Sequence, residues 1–150
     1  MSKGKMEEVL EQKGRLVTAP SGTSMLPLIR PKKDVVILEK QQEPPKKYDV
    51  VLYKRDNDTY ILHRILGKDD TGYVLCGDNQ AVKEYRIQEE QILAVLTSFY
   101  RGEKKIEMKS NRQRLYAAVW CSSLTMRKII FFGRRIINKL RREWKNMRER

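Results

Sequence analysis

Three residues whose types can perform acyl transfer occur within the first 80 residues of the chain. Ser24 lies in the run 21–27 (SGTSMLP), His63 is the only histidine, and Asp78 follows an apolar run. A serine hydroxyl becomes a nucleophile when a neutral imidazole removes its proton, and a carboxylate on the other ring nitrogen fixes the tautomer. These residue types therefore fit a serine hydrolase, provided that the fold brings them together.

Each of the three also has a purely structural interpretation. Small residues and Gly-Asp-Asn form ordinary turns, and a single histidine on an apolar strand face usually belongs to a core. On a strand, the His63 side chain shares a face with Ile61 and Ile65, and such surroundings keep imidazole neutral. The order of serine loop, strand pair, histidine and Gly-Asp-Asn within 24–79 favours the chemical interpretation.

The elements that must position these residues are predicted to be short strands. Runs rich in β-branched and aromatic residues alternate with turn residues. The predicted strands are 34–38, 49–53, 59–66, 73–76 and 92–100. This spacing indicates a mainly β, small and partly closed sheet assembly. A short polar helix is expected over 6–13, ending at Gly14.

The last third of the chain has a different composition. Apolar residues recur at helical spacing among Lys and Arg, which predicts a basic amphipathic α-helix over 115–147, interrupted near Gly133. Of the formal net charge of +13, residues 101–150 carry 16 Lys and Arg against 4 Asp and Glu. Their longest uncharged run, 115–126, is shorter than the roughly 20 residues of a membrane-spanning helix.

Three partners are conceivable for this tail. Large apolar residues between the cations favour an anionic membrane surface, bound through 115–147. Docking on a protein, or back on the domain itself, is the second interpretation. Nucleic acid is the third, and no specific nucleic-acid partner is expected, because the pattern is amphipathic rather than uniformly basic.

The sequence therefore divides into a polar N-terminal segment 1–14, a domain 15–109 and the basic tail 110–150. Cys76 and Cys121 are too few and too far apart for a disulfide framework or a metal site, and no metal or cofactor is expected. Charged residues interrupt 6–16, which is not the pattern of a secretory signal.

The stretch 15–105 resembles the type I signal peptidase and LexA-type serine peptidase superfamily. The run 21–27 is similar to the nucleophile box of that superfamily, 49–54 (DVVLYK) to its second strand box, and 77–79 (GDN) to its final box. The base in this superfamily is lysine or histidine. His63 followed by Arg64 resembles the histidine branch, and Lys54 is not assigned as the base.

The resemblance implies a serine endopeptidase that cuts a secreted or ribosomally made precursor peptide. Ser24 is then the nucleophile and His63 the general base. Asp78 is the first candidate for the acid that orients His63, and Glu84 is the second.

The same resemblance implies that the oxyanion is held by the loop around the nucleophile. The residues concerned are Gly22, Thr23 and Met25. Gly22 stands where some signal peptidases carry a serine hydroxyl, so that donor is expected to be missing or replaced.

The competing function class is a non-catalytic peptide-binding or membrane-surface module that keeps the peptidase fold. The basic tail favours a peripheral position on the cytoplasmic face of a membrane, with membrane anchoring and an external active site as the alternative. The substrate and the oligomeric state do not follow from the sequence.

Overall fold

The protein is mainly β, as the sequence predicts. The computed structural model describes residues 3–122 and the single positions 133, 136, 137, 140, 141, 144 and 147. In chain order the elements are α1 (Lys3–Lys13), β1 (Arg15–Thr18), β2 (Asp34–Glu39), β3 (Val50–Lys54), β4 (Tyr60–Asp69), β5 (Gly72–Cys76), β6 (Glu84–Ile87), a 3₁₀ turn (Glu89–Gln91), β7 (Ile92–Arg101), β8 (Lys104–Glu107) and α2 (Asn111–Ser122).

The strands form one antiparallel sheet. Its order is β1-β2-β7-β3-β4-β5-β6, and β8 pairs with the far end of β7. The sheet is open, because β1 and β6 end the path instead of pairing with each other. The closure expected from the sequence is therefore absent from the described part of the chain. Register shifts between Ile37 and Leu38, Leu52 and Tyr53, and Ile65 and Gly67 interrupt the regular pairing.

All five predicted strands are present, and three further strands were not predicted. β1, β6 and β8 have four residues each, and every one of them contains at least one charged residue. Short, charged strands are typical of sheet edges, where a long apolar strand would invite pairing with another chain. Helix α1 begins at Lys3, three residues before the predicted start.

Both faces of the central strands are buried. Side chains alternate along β3, so Val50 and Leu52 join one apolar cluster with α1 and the serine loop. Val51 and Tyr53 join a second cluster on the opposite face, together with Ile65 of β4. His63 pairs with Val51 across β3 and β4, which places its side chain on this second face.

The C-terminal part of the chain is described only in part. Helix α2 begins at Asn111 and is described to Ser122. Most of the amphipathic helix predicted over 115–147 lies outside the described residues. Within the residues that are described, no helix combines the length and the apolar character needed to cross a membrane.

Candidate functional site

The serine loop is held in place by its own apolar residues. Met25, Leu28 and Ile29 are buried in the first cluster, while Ser24 is half-buried. The loop turns sharply here, because the Leu26 amide donates to the Thr23 carbonyl at 3.2 Å and the Ile29 amide to the Met25 carbonyl at 2.9 Å. The alternation of small and apolar residues thus fixes the backbone and leaves the serine at the surface.

Gly77 marks the point where the serine loop and the histidine meet. A Cβ atom on this glycine would lie 2.7 Å from the Ser24 carbonyl oxygen and 3.1 Å from His63 Nε2. The first distance is shorter than side chains tolerate, and the neighbour is backbone. Glycine is therefore required by a close approach, and the backbone carbonyl of Ser24 and Nε2 of His63 both border this glycine.

The turn that contains Gly77 is bound directly to the serine loop. The Asn79 amide donates to the Ser24 carbonyl at 2.7 Å, and Asn79 Nδ2 donates to the Thr23 carbonyl at 3.2 Å. Two segments more than fifty residues apart are thus joined at the residues that the sequence singles out.

His63 lies in an apolar environment, as the strand pattern predicts. Its side chain is 2% exposed, and the Tyr53 ring packs on it with 5.9 Å between centroids. Burial disfavours the charged imidazolium and lowers the pKa of His63 below its ordinary value of 6.5, although the charge of Glu84 opposes this effect. The imidazole is therefore neutral at pH 7 and able to accept a proton.

The inner nitrogen of His63 contacts two groups. Nδ1 lies 3.1 Å from Glu84 Oε1 and 3.2 Å from the Tyr53 hydroxyl. A carboxylate only accepts hydrogen bonds, so the Glu84 contact favours the tautomer with the proton on Nδ1. In that tautomer Nε2, the nitrogen that lies beside Gly77, carries the lone pair.

Glu84 is held as a carboxylate by its neighbours. Arg55 donates from Nε to Oε2 at 2.9 Å and from Nη2 to Oε1 at 2.5 Å. Burial alone would raise the pKa of Glu84, but the hydrogen bonds from Arg55 and Tyr53 outweigh it and hold that pKa below its ordinary value. Burial, together with Glu84, raises the pKa of Tyr53, so its hydroxyl remains a donor. Glu84 thus stays ionised beside a neutral imidazole, with Arg55 as its counter-charge.

Asp78 does not make the contact predicted for it. Its carboxylate accepts from Arg64 Nε at 2.9 Å and from Arg64 Nη2 at 2.8 Å, and the Tyr116 hydroxyl donates to it at 3.1 Å. The physical reason is geometric, since neighbouring side chains on a strand point to opposite faces. The Arg64 side chain therefore projects from β4 on the face opposite His63, and the Asp78 carboxylate binds it there. Of the two candidate acids, Glu84 is the one that reaches the imidazole.

The remaining loop residues differ in exposure. Gly22 and Thr23 are exposed, and a Cβ on Gly22 would meet nothing within 4 Å. The Met25 side chain points into the core, so only its backbone is available to the site. Lys54 is engaged elsewhere, with Nζ 3.0 Å from both Asp58 and Glu7. Its hydrogen bonds to these carboxylates raise its pKa, and a protonated lysine is not a base.

Sequence reasoning missed two residues that contact the histidine and its acid. They are Tyr53 and Arg55. Tyr53 could have been found from the sequence pattern, because it shares a strand face with Val51, the residue opposite His63. The contacts of Arg55 depend on β6, a strand that the sequence did not reveal.

Compared with family models, with curated proteins and with solved structures, the chain matches none.

Proposed function

We propose that this protein is a serine endopeptidase of the type I signal peptidase and LexA type, with a histidine base. The observation that carries the proposal is that the Ser24 backbone and His63 Nε2 both border Gly77, while Nδ1 of the same ring lies 3.1 Å from the Glu84 carboxylate. These two contacts are independent, because one is made at Nε2, the nitrogen that would receive the serine proton, and the other at Nδ1, the nitrogen that the carboxylate orients.

The reaction follows from these positions. The Ser24 oxygen attacks the carbonyl carbon of a peptide bond, and its proton passes to Nε2 of His63. The tetrahedral intermediate then expels the amine, which takes that proton, and leaves an acyl ester on Ser24. A water molecule then attacks the acyl ester and gives its proton to Nε2 of His63. The bond to the Ser24 oxygen breaks, that oxygen takes the proton from His63, and the carboxylic acid leaves.

Glu84 and the backbone around the serine stabilise the charges that develop. While Nε2 holds the transferred proton the ring is a cation, and the Glu84 carboxylate at 3.1 Å balances that charge. The oxyanion is assigned to backbone N–H groups of the turn at Ser24, since such donors are worth about 10² to 10³ in rate each. Gly22 supplies no side-chain donor.

The proposed substrate is a precursor peptide, secreted or ribosomally made, cut close to a membrane. The basic tail supports the location, because its cations and its exposed Leu115 and Val119 suit an anionic lipid surface. The same charge favours the cytoplasmic face. Trp120 is not part of the lipid-facing set, because its indole is used within the domain, donating to the Asp78 carbonyl.

A fluorophosphonate probe tests the chemistry. The wild-type protein should be labelled on Ser24, and Ser24→Ala and His63→Ala should each abolish labelling while the fold persists. Ser21→Ala is the matched control, since it removes an exposed hydroxyl from the same loop and should leave labelling intact. An unlabelled wild-type protein that still binds peptides would replace the enzyme with the peptide-binding module.

Vesicle sedimentation tests the location. The full-length protein should sediment with phosphatidylserine vesicles and not with neutral phosphatidylcholine vesicles. Binding should weaken as salt rises toward about 1 M, where the Debye length falls to roughly 3 Å. Equal binding to both kinds of vesicle would contradict the charge-based attachment.

A further inference from the structure

A buried ion pair lies directly behind the candidate site. Arg64 and Asp78 are 1% and 0% exposed, and they are joined by two parallel hydrogen bonds of 2.9 and 2.8 Å. Arg64 also donates to the Tyr48 carbonyl at 2.8 Å, which fixes the guanidinium from the other side. Asp78 is therefore held rigidly in the turn that carries Gly77.

Helix α2 closes over this pair with two aromatic residues. The Tyr116 hydroxyl donates to Asp78 Oδ2 at 3.1 Å, and Trp120 Nε1 donates to the Asp78 carbonyl at 2.8 Å. The Tyr116 ring lies 5.6 Å from the Arg64 guanidinium carbon, within cation–π distance. One residue of the turn is thus bound by α2 at its side chain and at its backbone.

These contacts come from one defined face of α2. Tyr116 and Trp120 are one helical turn apart and stack at 5.9 Å with 13° between their planes. Ala117, which follows Tyr116, is buried, whereas Leu115 and Val119, each turned about 100° from the aromatic residue that follows it, are 66% and 63% exposed. The two aromatic residues of α2 therefore contact the turn at Asp78, whereas Leu115 and Val119 remain exposed.

The same turn continues into the serine loop. Asn79 follows Asp78 and binds the Ser24 and Thr23 carbonyls, and Gly77 precedes it and packs against the Ser24 carbonyl and His63. Three consecutive residues thus lie between α2 on one side and the nucleophile on the other. A displacement of Asp78 has to move Gly77 and Asn79 with it.

We propose that Tyr116 and Trp120 are positioning residues of the active site, acting through Asp78 on the loop that carries Ser24. The inference rests on the proposed peptidase function. Its physical basis is that a misplacement of about 1 Å at a reacting group costs on the order of 10² in rate. The tail thereby contributes to catalysis through its first turns, in addition to any contact with a membrane.

Phenylalanine substitutions test this proposal in the full-length protein. Trp120→Phe and Tyr116→Phe keep an aromatic ring but remove the donor to Asp78. Each should slow acylation of Ser24 by the fluorophosphonate about fivefold, and the double variant by more, at a temperature where all variants are folded. The pH midpoint of acylation should stay unchanged, because His63 and Glu84 keep their contacts. Ala118→Ser, at an exposed position of the same helix, is the matched control and should react like the wild type.

Hydrogen exchange provides a readout that does not depend on catalysis. The Asn79 amide, which donates to the Ser24 carbonyl, should exchange about fivefold faster in Trp120→Phe than in Ala118→Ser. Normal acylation and normal Asn79 exchange in Trp120→Phe would overturn the positioning role. If the wild-type protein is not acylated at all, the peptidase function fails, and the Asn79 exchange alone decides whether α2 controls the serine loop.

Discussion

Glu84 Oε1 lies 3.1 Å from His63 Nδ1, and it reaches the histidine from an edge strand. Glu84 and His63 thus come from different parts of the sheet, β6 and β4, with β5 between them. Arg55, at the end of β3, holds the carboxylate in place from the other side. The orientation of the imidazole therefore depends on the position of a short peripheral strand.

The two acidic candidates should respond differently to neutralisation. Glu84→Gln should slow acylation of Ser24 by about 10³ to 10⁴, because the amide no longer selects the Nδ1–H tautomer or balances the imidazolium. Asp78→Asn leaves the Arg64 guanidinium buried without its counter-charge, and should lower the free energy of unfolding by about 3 to 5 kcal/mol. Acylation kinetics and urea unfolding of both variants measure these effects.

A surface glutamate provides the control for this comparison. Glu89→Gln removes a carboxylate that pairs with exposed Lys68, and should change neither quantity appreciably. Full acylation activity in Glu84→Gln would contradict the assignment of Glu84 as the orienting acid.

The pH profile of acylation should report the environment of His63. The second-order rate should rise with pH and reach half its maximum below 6.5, because burial lowers the pKa of the imidazole. The negative charge of Glu84 raises that pKa, so the residual activity of Glu84→Gln should have its midpoint at still lower pH. A midpoint above about pH 8 would indicate a lysine base instead.

The sequence predicted what depends on local pattern and missed what depends on edge strands. The five strands with continuous β-branched runs, the serine loop and the histidine on an apolar face could all be recognised, because each signal lies within a few residues. β6 was not recognised, since it is only four residues long and two of them are charged, and the contact between Glu84 and Arg55 depends on it. Asp78 was predicted to contact His63, but its carboxylate accepts hydrogen bonds from Arg64. Which of these two neighbouring residues it contacts depends on the strand face from which each side chain projects and on the strand register.

Stability should depend on His63 in a defined pH window. The unfolded chain protonates its imidazole near pH 6.5, whereas the folded protein does so only at lower pH. The unfolded state therefore binds more protons below pH 6.5, and the free energy of unfolding should decrease as the pH falls toward 5. The pKa values of Glu84 and Asp34 are also lowered, but these carboxylates reduce the free energy of unfolding only at pH values near or below their ordinary pKa values of 4.5 and 3.8.

Urea unfolding of the wild type and of His63→Gln at pH 7.5, 6.5 and 5.5 measures this contribution. His63 is the only histidine, so the variant should lose most of the decrease between pH 6.5 and 5.5. An equally steep decrease in the variant would assign the dependence to other groups.

The last prediction concerns the close approach at Gly77. Gly77→Ala adds one methyl group, which would lie 2.7 Å from the Ser24 carbonyl oxygen and 3.1 Å from His63 Nε2. The carbonyl belongs to the backbone and cannot rotate away, so the serine loop and the Gly77 turn must separate. We expect acylation to fall by about 10² or more, since the nucleophile moves relative to its base. Gly67→Ala is the matched control, because a Cβ there meets nothing within 4 Å. Acylation rates and melting temperatures of both variants give the comparison. If Gly77→Ala is acylated as fast as the wild type, the relative position of Ser24 and His63 does not depend on this contact.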